Sequence, residues 1–439
     1  MTGQRRVNMN SRERILCAFN YREPDRVPID FSGHRSSGIS AILYPKLRAF
    51  LELPPRPVRV YDPIQQLAIV DEDMLDLFGV DTIELGRGFA LNNEDWADWV
   101  LPDGDGSPCQ MPVWVLPERE ENRWIIRSKS GKIIAQMPDG ALYFEQTHYP
   151  FYEQENLDML QEALDECMWS AVASPPGPLV SGPDGDHILV QGARNLRAST
   201  DRAILGLFGG NLMELGQFLY RNDKFLMLLV LDPPRVHNFL DCLVHMHLEN
   251  LERYLKLVGE YIDIIVFGDD LGMQTGPQIS PDMYREFFKP RHSKMWQRAK
   301  ELADVKVMLH CCGGVYQLLP DLIDAGLDAI NPVQISSRGM EPERLKTEFG
   351  NKLVLWGGGC DTQHILRQGT PDEVRAHVRQ NVEIFKRGGG YVFQQVHNIL
   401  ADVPPENVAA MFEVVKNQGG SFRENHPPGP PAKAFDKVF

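Results

Sequence analysis

The sequence contains no apolar run long enough to cross a bilayer, and residues 1–10 (MTGQRRVNMN) lack the apolar centre of a secretion signal. Both absences lead us to expect a cytoplasmic protein. Cysteine is scarce: seven in 439 residues, an odd number and scattered, which excludes a disulfide framework. Basic residues are outnumbered, 45 Lys and Arg against 60 Asp and Glu, for a formal net charge of -15. No basic block offsets this balance, so a nucleic acid or an anionic membrane is not expected as a partner. There is no internal repeat, and residues 425–433 (NHPPGPPAK) stand out as an extended end within a tail of about 420–439.

What is present is ordinary globular material, 43% hydrophobic and 24% charged, enough for one large core. A helix is predicted over 10–19, capped by Asn10 or Ser11. Short apolar runs ending in Gly, Asp or His then recur at 27–31, 81–85, 203–208, 262–267, 305–310, 328–332, 353–356 and 391–396. Amphipathic stretches such as 233–257, 283–302, 315–325 and 371–387 lie between them. Strand–helix alternation of this kind predicts an α/β fold, a (β/α)8 TIM barrel in a single domain spanning 1–439. A doubly wound open sheet is the alternative, but no glycine-rich phosphate loop follows the first strand. The interval 86–187 exceeds one βα unit. Runs at 124–128, 132–136 and 141–146, separated by SG and DG turns, predict an antiparallel β insertion after the second strand. It would either cap the barrel mouth or mediate assembly.

In such barrels, polar residues at the C-terminal ends of strands face the catalytic mouth. Four predicted strand ends are rich in them: FGDDLG (267–272), HCCGG (310–314), WGGGCDTQ (356–363) and QQVHN (394–398); NPVQ (331–334) is milder. His310 and Cys312 are the sharpest pair. Side chains at i and i+2 of a strand share a face, so an imidazole and a thiolate converge on one ion. Zinc takes this N/S mixture and, in catalytic sites, uses three protein ligands with a fourth position open. His397 is the favoured third ligand and Cys360 its competitor. A lone HxC pair is equally a hydrogen-bonded histidine beside a buried cysteine; the strand-end company of His397 and Cys360 shifts the balance to metal. Cys311 should point away into the core, and Cys17, Cys109, Cys167 and Cys242 read as small buried hydrophobes. Asp269 and Asp270, being adjacent, face opposite ways: one is available for acid–base work at the mouth while the other holds a neighbouring segment. Asn331, Gln334, Gln363 and Asn398 are candidates to hydrogen-bond substrate or to satisfy loop backbone. The glycine runs at 357–359 and 388–390 lack phosphate-loop spacing.

Five stretches carry a family resemblance: MNSRERILCAFNYREPDRVPID (9–30), DDLGMQTGPQISPDMYREFFKPR (269–291), LHCCGG (309–314), LWGGGCDT (355–362) and VHNILADVPPENV (396–408). They resemble the uroporphyrinogen decarboxylase-like superfamily. The resemblance implies either a metal-free decarboxylase that grips a tetrapyrrole with arginines near the first strand, or a zinc enzyme. The zinc branch is that of the methylcobalamin:coenzyme M methyltransferases, which hold the ion on an H-x-C pair and a later cysteine. Cobalamin-independent methionine synthase uses a similar arrangement. His310 and Cys312 match the second branch. His397 stands where those methyltransferases have cysteine and where the decarboxylases have an active-site histidine. The loop SGHRSSG (32–38) has one arginine, Arg35, a substrate-binding candidate, where the decarboxylase motif has two. The expectation is therefore a zinc-dependent methyltransferase. It would move a methyl group between a corrinoid (methylcobalamin, or a corrinoid on a partner protein) and a thiol or other small methyl carrier. The alternatives are a decarboxylase of a tetrapyrrole or other acid, and a non-catalytic corrinoid-binding protein.

Overall fold

Asn10 starts the first helix, Ser11–Phe19, through a reciprocal capping box with Glu13. Its apolar residues Ile15, Ala18 and Phe19 pack against the interior of the sheet that follows. The structure is a computed structural model and describes residues 9–88, 95–100, 108–172 and 184–417. The predicted tail at 420–439 lies outside those residues.

Seven strands make a parallel sheet in sequence order: β1 (Thr82–Glu84), β2 (Ala203–Gly209), β3 (Ile264–Gly268), β4 (Lys306–His310), β5 (Ala329–Asn331), β6 (Val354–Trp356) and β7 (Tyr391–Val392). Alternate residues serve opposite faces. Ala203, Leu205, Ile264, Val266, Met308 and Trp356 fill the inside, whereas Ile204, Ile265, Val307, Leu309 and Leu355 pack outward in the main core with residues of the surrounding helices. The sheet curls into a barrel of the TIM type. Ser11–Phe19 lies at its N-terminal end, where Arg12 N–H donates to Asp201 O just before β2.

An eighth strand was expected at 27–31, and here the structure differs. That segment makes a single parallel bridge, Ile29 to Phe393, and hydrogen bonds to both edges: Phe393 N–H to Pro28 O, Asp30 N–H to Phe393 O, and Asp81 N–H to Ile29 O. The reason lies partly in Pro28 and partly in a distant carboxylate. Pro28 has no N–H to give, and the Ile29 N–H donates to the Asp81 carboxylate at 2.8 Å rather than to backbone. The last strand is also shorter than the predicted 391–396. Beyond Phe393 the chain pairs irregularly, with Gly359 N–H on Gln394 O and Val396 N–H on Cys360 O. His397 therefore sits in a bend past β7 rather than at a strand end.

The insertion is less purely antiparallel than expected. Arg123–Arg127, Ile133–Pro138 and Glu145–Gln146 form the predicted meander, joined by Glu118–Glu120. A second small sheet recruits Val58–Asp62 from before β1, which pairs parallel with Pro108–Pro112. Of the two roles left open, the structure shows contact with the mouth: Trp169 lines the central cavity, and Tyr143 O–H donates to Asn398 Oδ1 at 2.9 Å.

Candidate metal centre and substrate cavity

The C-terminal ends of β2, β3 and β4 and the loop at 32–38 surround a cavity of about 290 Å³. Its lining includes His34, Arg35, Asn211, Glu214, Asp270, His310, Cys312 and His397, with Trp169, Leu207, Leu215, Phe218 and Val266 as the apolar part. The candidate ligands meet here. One donor atom from each of His310, Cys312 and His397 lies within 4.8 Å of the others. His310 Nε2 and Cys312 Sγ are 3.5 Å apart, as expected of i and i+2 side chains leaving a strand on one face. The His310 and His397 rings lie 5.9 Å apart. Cys311 points the other way, fully buried, with Leu271 N–H on its sulfur. Gly313 lets the chain turn sharply after Cys312: its φ is +87°, and a Cβ there would sit 2.3 Å from the carbonyl carbon of Gly272.

Each histidine has one nitrogen tied to an asparagine. Asn331 gives its amide protons to Trp356 O and Gln394 Oε1, so its Oδ1 faces His310 and accepts from Nδ1 at 2.9 Å. Asn398 donates to Gln65 Oε1, and its Oδ1 accepts from His397 Nδ1 at 3.0 Å. Both imidazoles are thereby fixed with Nδ1 protonated and Nε2 carrying the lone pair. Burial pushes His310 down to about 4 and lowers His397 as well, so both are neutral near pH 7. Burial, and then the Asp270 charge, holds the Cys312 thiol well above the ordinary thiol range. A bound cation would reverse that effect.

The other predicted residues divide cleanly. Asp270 lines the cavity and accepts from Cys312 N–H at 2.7 Å. Asp269, expected as a catalytic candidate beside it, is fully buried. It accepts from Met213 N–H, Glu214 N–H and His292 Nε2, which makes it the N-terminal anchor of the helix Met213–Tyr220. Arg35 lines the cavity with its Nε 2.9 Å from Asp62. Asn331, Gln334, Gln363 and Asn398, expected at the substrate, do not line it. The two asparagines orient the histidines, Gln334 accepts from Gly313 N–H at 2.7 Å, and Gln363 is exposed. Cys360 is fully buried and outside the ligand group, its sulfur directed at Asp361 O.

Residues missed in the sequence are His34 and Glu214. His34 Nε2 lies 3.3 Å from Asp30 Oδ2 and its Nδ1 3.1 Å from Ser36 Oγ, which in turn donates to Asn331. Burial raises the Asp30 carboxyl, but bonds from His34, Thr82 and Trp356 outweigh it and hold it below the usual range. Glu214 follows β2 after Gly-Gly-Asn, a polar strand end like those after β3 and β4. Burial, then Asp270 and Asp269, push its carboxyl well above the ordinary range.

Residues 201–418 match the family model described as uroporphyrinogen decarboxylase (URO-D). The chain is 28% identical to uroporphyrinogen decarboxylase of Chlorobium luteolum over 150 residues, 33% of this chain and 40% of that protein. It is 27% identical to that of Psychromonas ingrahamii over 187 residues, 42% and 49% of the two chains. These matches span less than half the length of the curated relatives. Among solved structures, a methyltransferase from Methanosarcina mazei superposes with a TM-score of 0.56 at 16% identity, covering 93% of this chain and 99% of that one. That likeness is one of fold. The family model and the curated relatives support placing the chain in the uroporphyrinogen decarboxylase-like superfamily.

Proposed function

We propose that this chain is a zinc-dependent methyltransferase that works with a corrinoid and passes a methyl group to or from a thiol or other small carrier. The observation that supports it is the convergence of His310, Cys312 and His397 on one point of the cavity. Two neutral imidazoles and one thiolate suit zinc, and three protein ligands leave a position for substrate. When bound, zinc acts as a Lewis acid that holds a thiol as thiolate, its nucleophilic form. Asn331 and Asn398 keep both Nε2 atoms aimed inward. Asp270 pins the backbone of Cys312, and Trp169, Leu207, Leu215 and Phe218 give the cavity its apolar wall. A corrinoid macrocycle is far larger than the 290 Å³ cavity. The proposal therefore places it on a partner protein that docks over the mouth, so that only the methyl carrier enters. Protein purified without added metal should carry about one zinc per chain. It should also demethylate methylcobalamin in the presence of a thiol. Failure to take up zinc under any loading condition would remove the main support.

The orienting role of Asn331 is separately testable. Asn331→Leu keeps every ligand but deprives His310 of its acceptor, and zinc affinity should fall about 10–100-fold by chelator competition. Unchanged affinity would mean that the hydrogen bond does not serve the metal.

The names of the curated relatives favour a second reading, decarboxylation of a tetrapyrrole. Charge argues against it. Arg35 is the one arginine lining the cavity among the described residues and is already paired with Asp62, while Glu214 and Asp270 face the same space. A substrate bearing several acetates would be held poorly. Uroporphyrinogen should go unconverted, and coproporphyrinogen formed at enzyme-like turnover would overturn the methyltransferase reading.

A further inference from the structure

The helix Met213–Tyr220 turns Glu214 and, one turn later, Phe218 toward the same space, and both line the cavity. Trp169, brought in by the insertion, stands against Phe218 with ring centroids 6.2 Å apart and planes inclined by 46°. Across from them, Asp270 follows β3. Glu214 accepts from Asn211 Nδ2 and from the Asp270 N–H, and Asp270 accepts from the Cys312 N–H and thiol. No lysine, arginine or histidine pairs with either among the described residues. Of the other cavity-lining groups, Arg35 is engaged with Asp62 and His34 with Asp30.

We propose that this cavity binds a small organic cation, a methylammonium-type onium group, between the Glu214 carboxylate and the rings of Trp169 and Phe218. The proposal deepens the methyltransferase reading and rests on it for the transfer of the methyl group, though not for binding. Carboxyls desolvated without a counter-ion are costly, and a ligand cation supplies the missing partner. Aromatic faces attract a quaternary ammonium without needing a hydrogen-bond acceptor on every side. The charge balance agrees. A divalent ion on one thiolate and two neutral imidazoles keeps a single positive charge, which offsets Asp270, and a cation beside Glu214 favours the ionised form that burial and its acidic neighbours disfavour.

The test is calorimetric titration of zinc-loaded protein with choline and with its uncharged carbon isostere, 3,3-dimethylbutan-1-ol. Zinc content is measured on the same samples. Choline should bind about tenfold or more tightly than the isostere. Glu214→Gln and Phe218→Leu should each weaken choline about tenfold while leaving the isostere unchanged. Equal binding of the two ligands, no binding of choline, or choline affinity indifferent to both substitutions would overturn the onium site. Protein that holds zinc yet fails to prefer choline loses the substrate class alone. Protein that prefers choline but never holds zinc keeps the onium site and loses the metal reading.

Discussion

Cys312→Ala and His397→Ala are each expected to weaken zinc binding about a hundredfold, and Cys360→Ala to leave it unchanged. Zinc bound by a full ligand set at neutral pH is worth about 10–16 kcal/mol in peptide sites. Removing one of three ligands need withdraw only about 3 kcal/mol to lower affinity some hundredfold. The contrast with Cys360 follows from position. Cys312 Sγ stands 3.5 Å from His310 Nε2, whereas Cys360 lies wholly within the outer core, outside the ligand group. Burial keeps its thiol firmly protonated. Equilibrium dialysis of the three variants, compared at equal folded stability, decides the matter. Zinc lost from Cys360→Ala but kept by His397→Ala would show that the third ligand is the cysteine and that the loop after β6 rearranges on binding.

How much of this was legible in the sequence varies with the range of the interaction. The strands were readable because short apolar runs ending in Gly, Asp or His recur between amphipathic stretches, and β2 to β6 fall within the predicted intervals to about a residue or two. The His310–Cys312 pair was readable for the same reason, since i and i+2 geometry is local. The seam at 27–31 was not. Its ladder is interrupted by Pro28 and by a carboxylate from Asp81, more than fifty residues on. The strand-end amides were assigned to the wrong neighbours for a comparable reason. A sequence marks Asn331 and Asn398 as polar and near the mouth, but whether a carboxamide faces solvent or an imidazole depends on the adjoining strand. Asn331 reaches His310 only because the parallel register sets the two residues side by side. Trp169 was the least accessible of all. It belongs to the insertion, and nothing local shows that an inserted segment folds back over the barrel mouth.

The barrel seam carries the largest expected stability effect, in Asp81→Ala. The Asp81 carboxylate is fully buried and accepts from Arg14 at 2.6 Å, from Arg26 at 2.6 and 2.9 Å, and from Ile29 N–H at 2.8 Å. Removing it leaves the Ile29 N–H without its acceptor and Arg14, itself mostly buried, with Asp25 as its remaining anion. Breaking a buried pair from one side costs about 3–5 kcal/mol, mostly because a charge is stranded. The loss should appear as a lower denaturant midpoint with little change in the slope of the transition. Asp139→Ala is the control, because its partner Arg119 is exposed and surface pairs contribute little. The consequence reaches the site. The segment held by Asp81 continues into Asp30, which binds Trp356 of β6 at 2.8 Å, and then into His34 and Arg35 at the cavity. A loosened seam should therefore weaken zinc binding through the His34–Ser36–Asn331–His310 chain, without any ligand being touched. If Asp81→Ala unfolds at the wild-type midpoint, the seam is held by the Ile29–Phe393 bridge and its backbone bonds, and the ion cluster is dispensable.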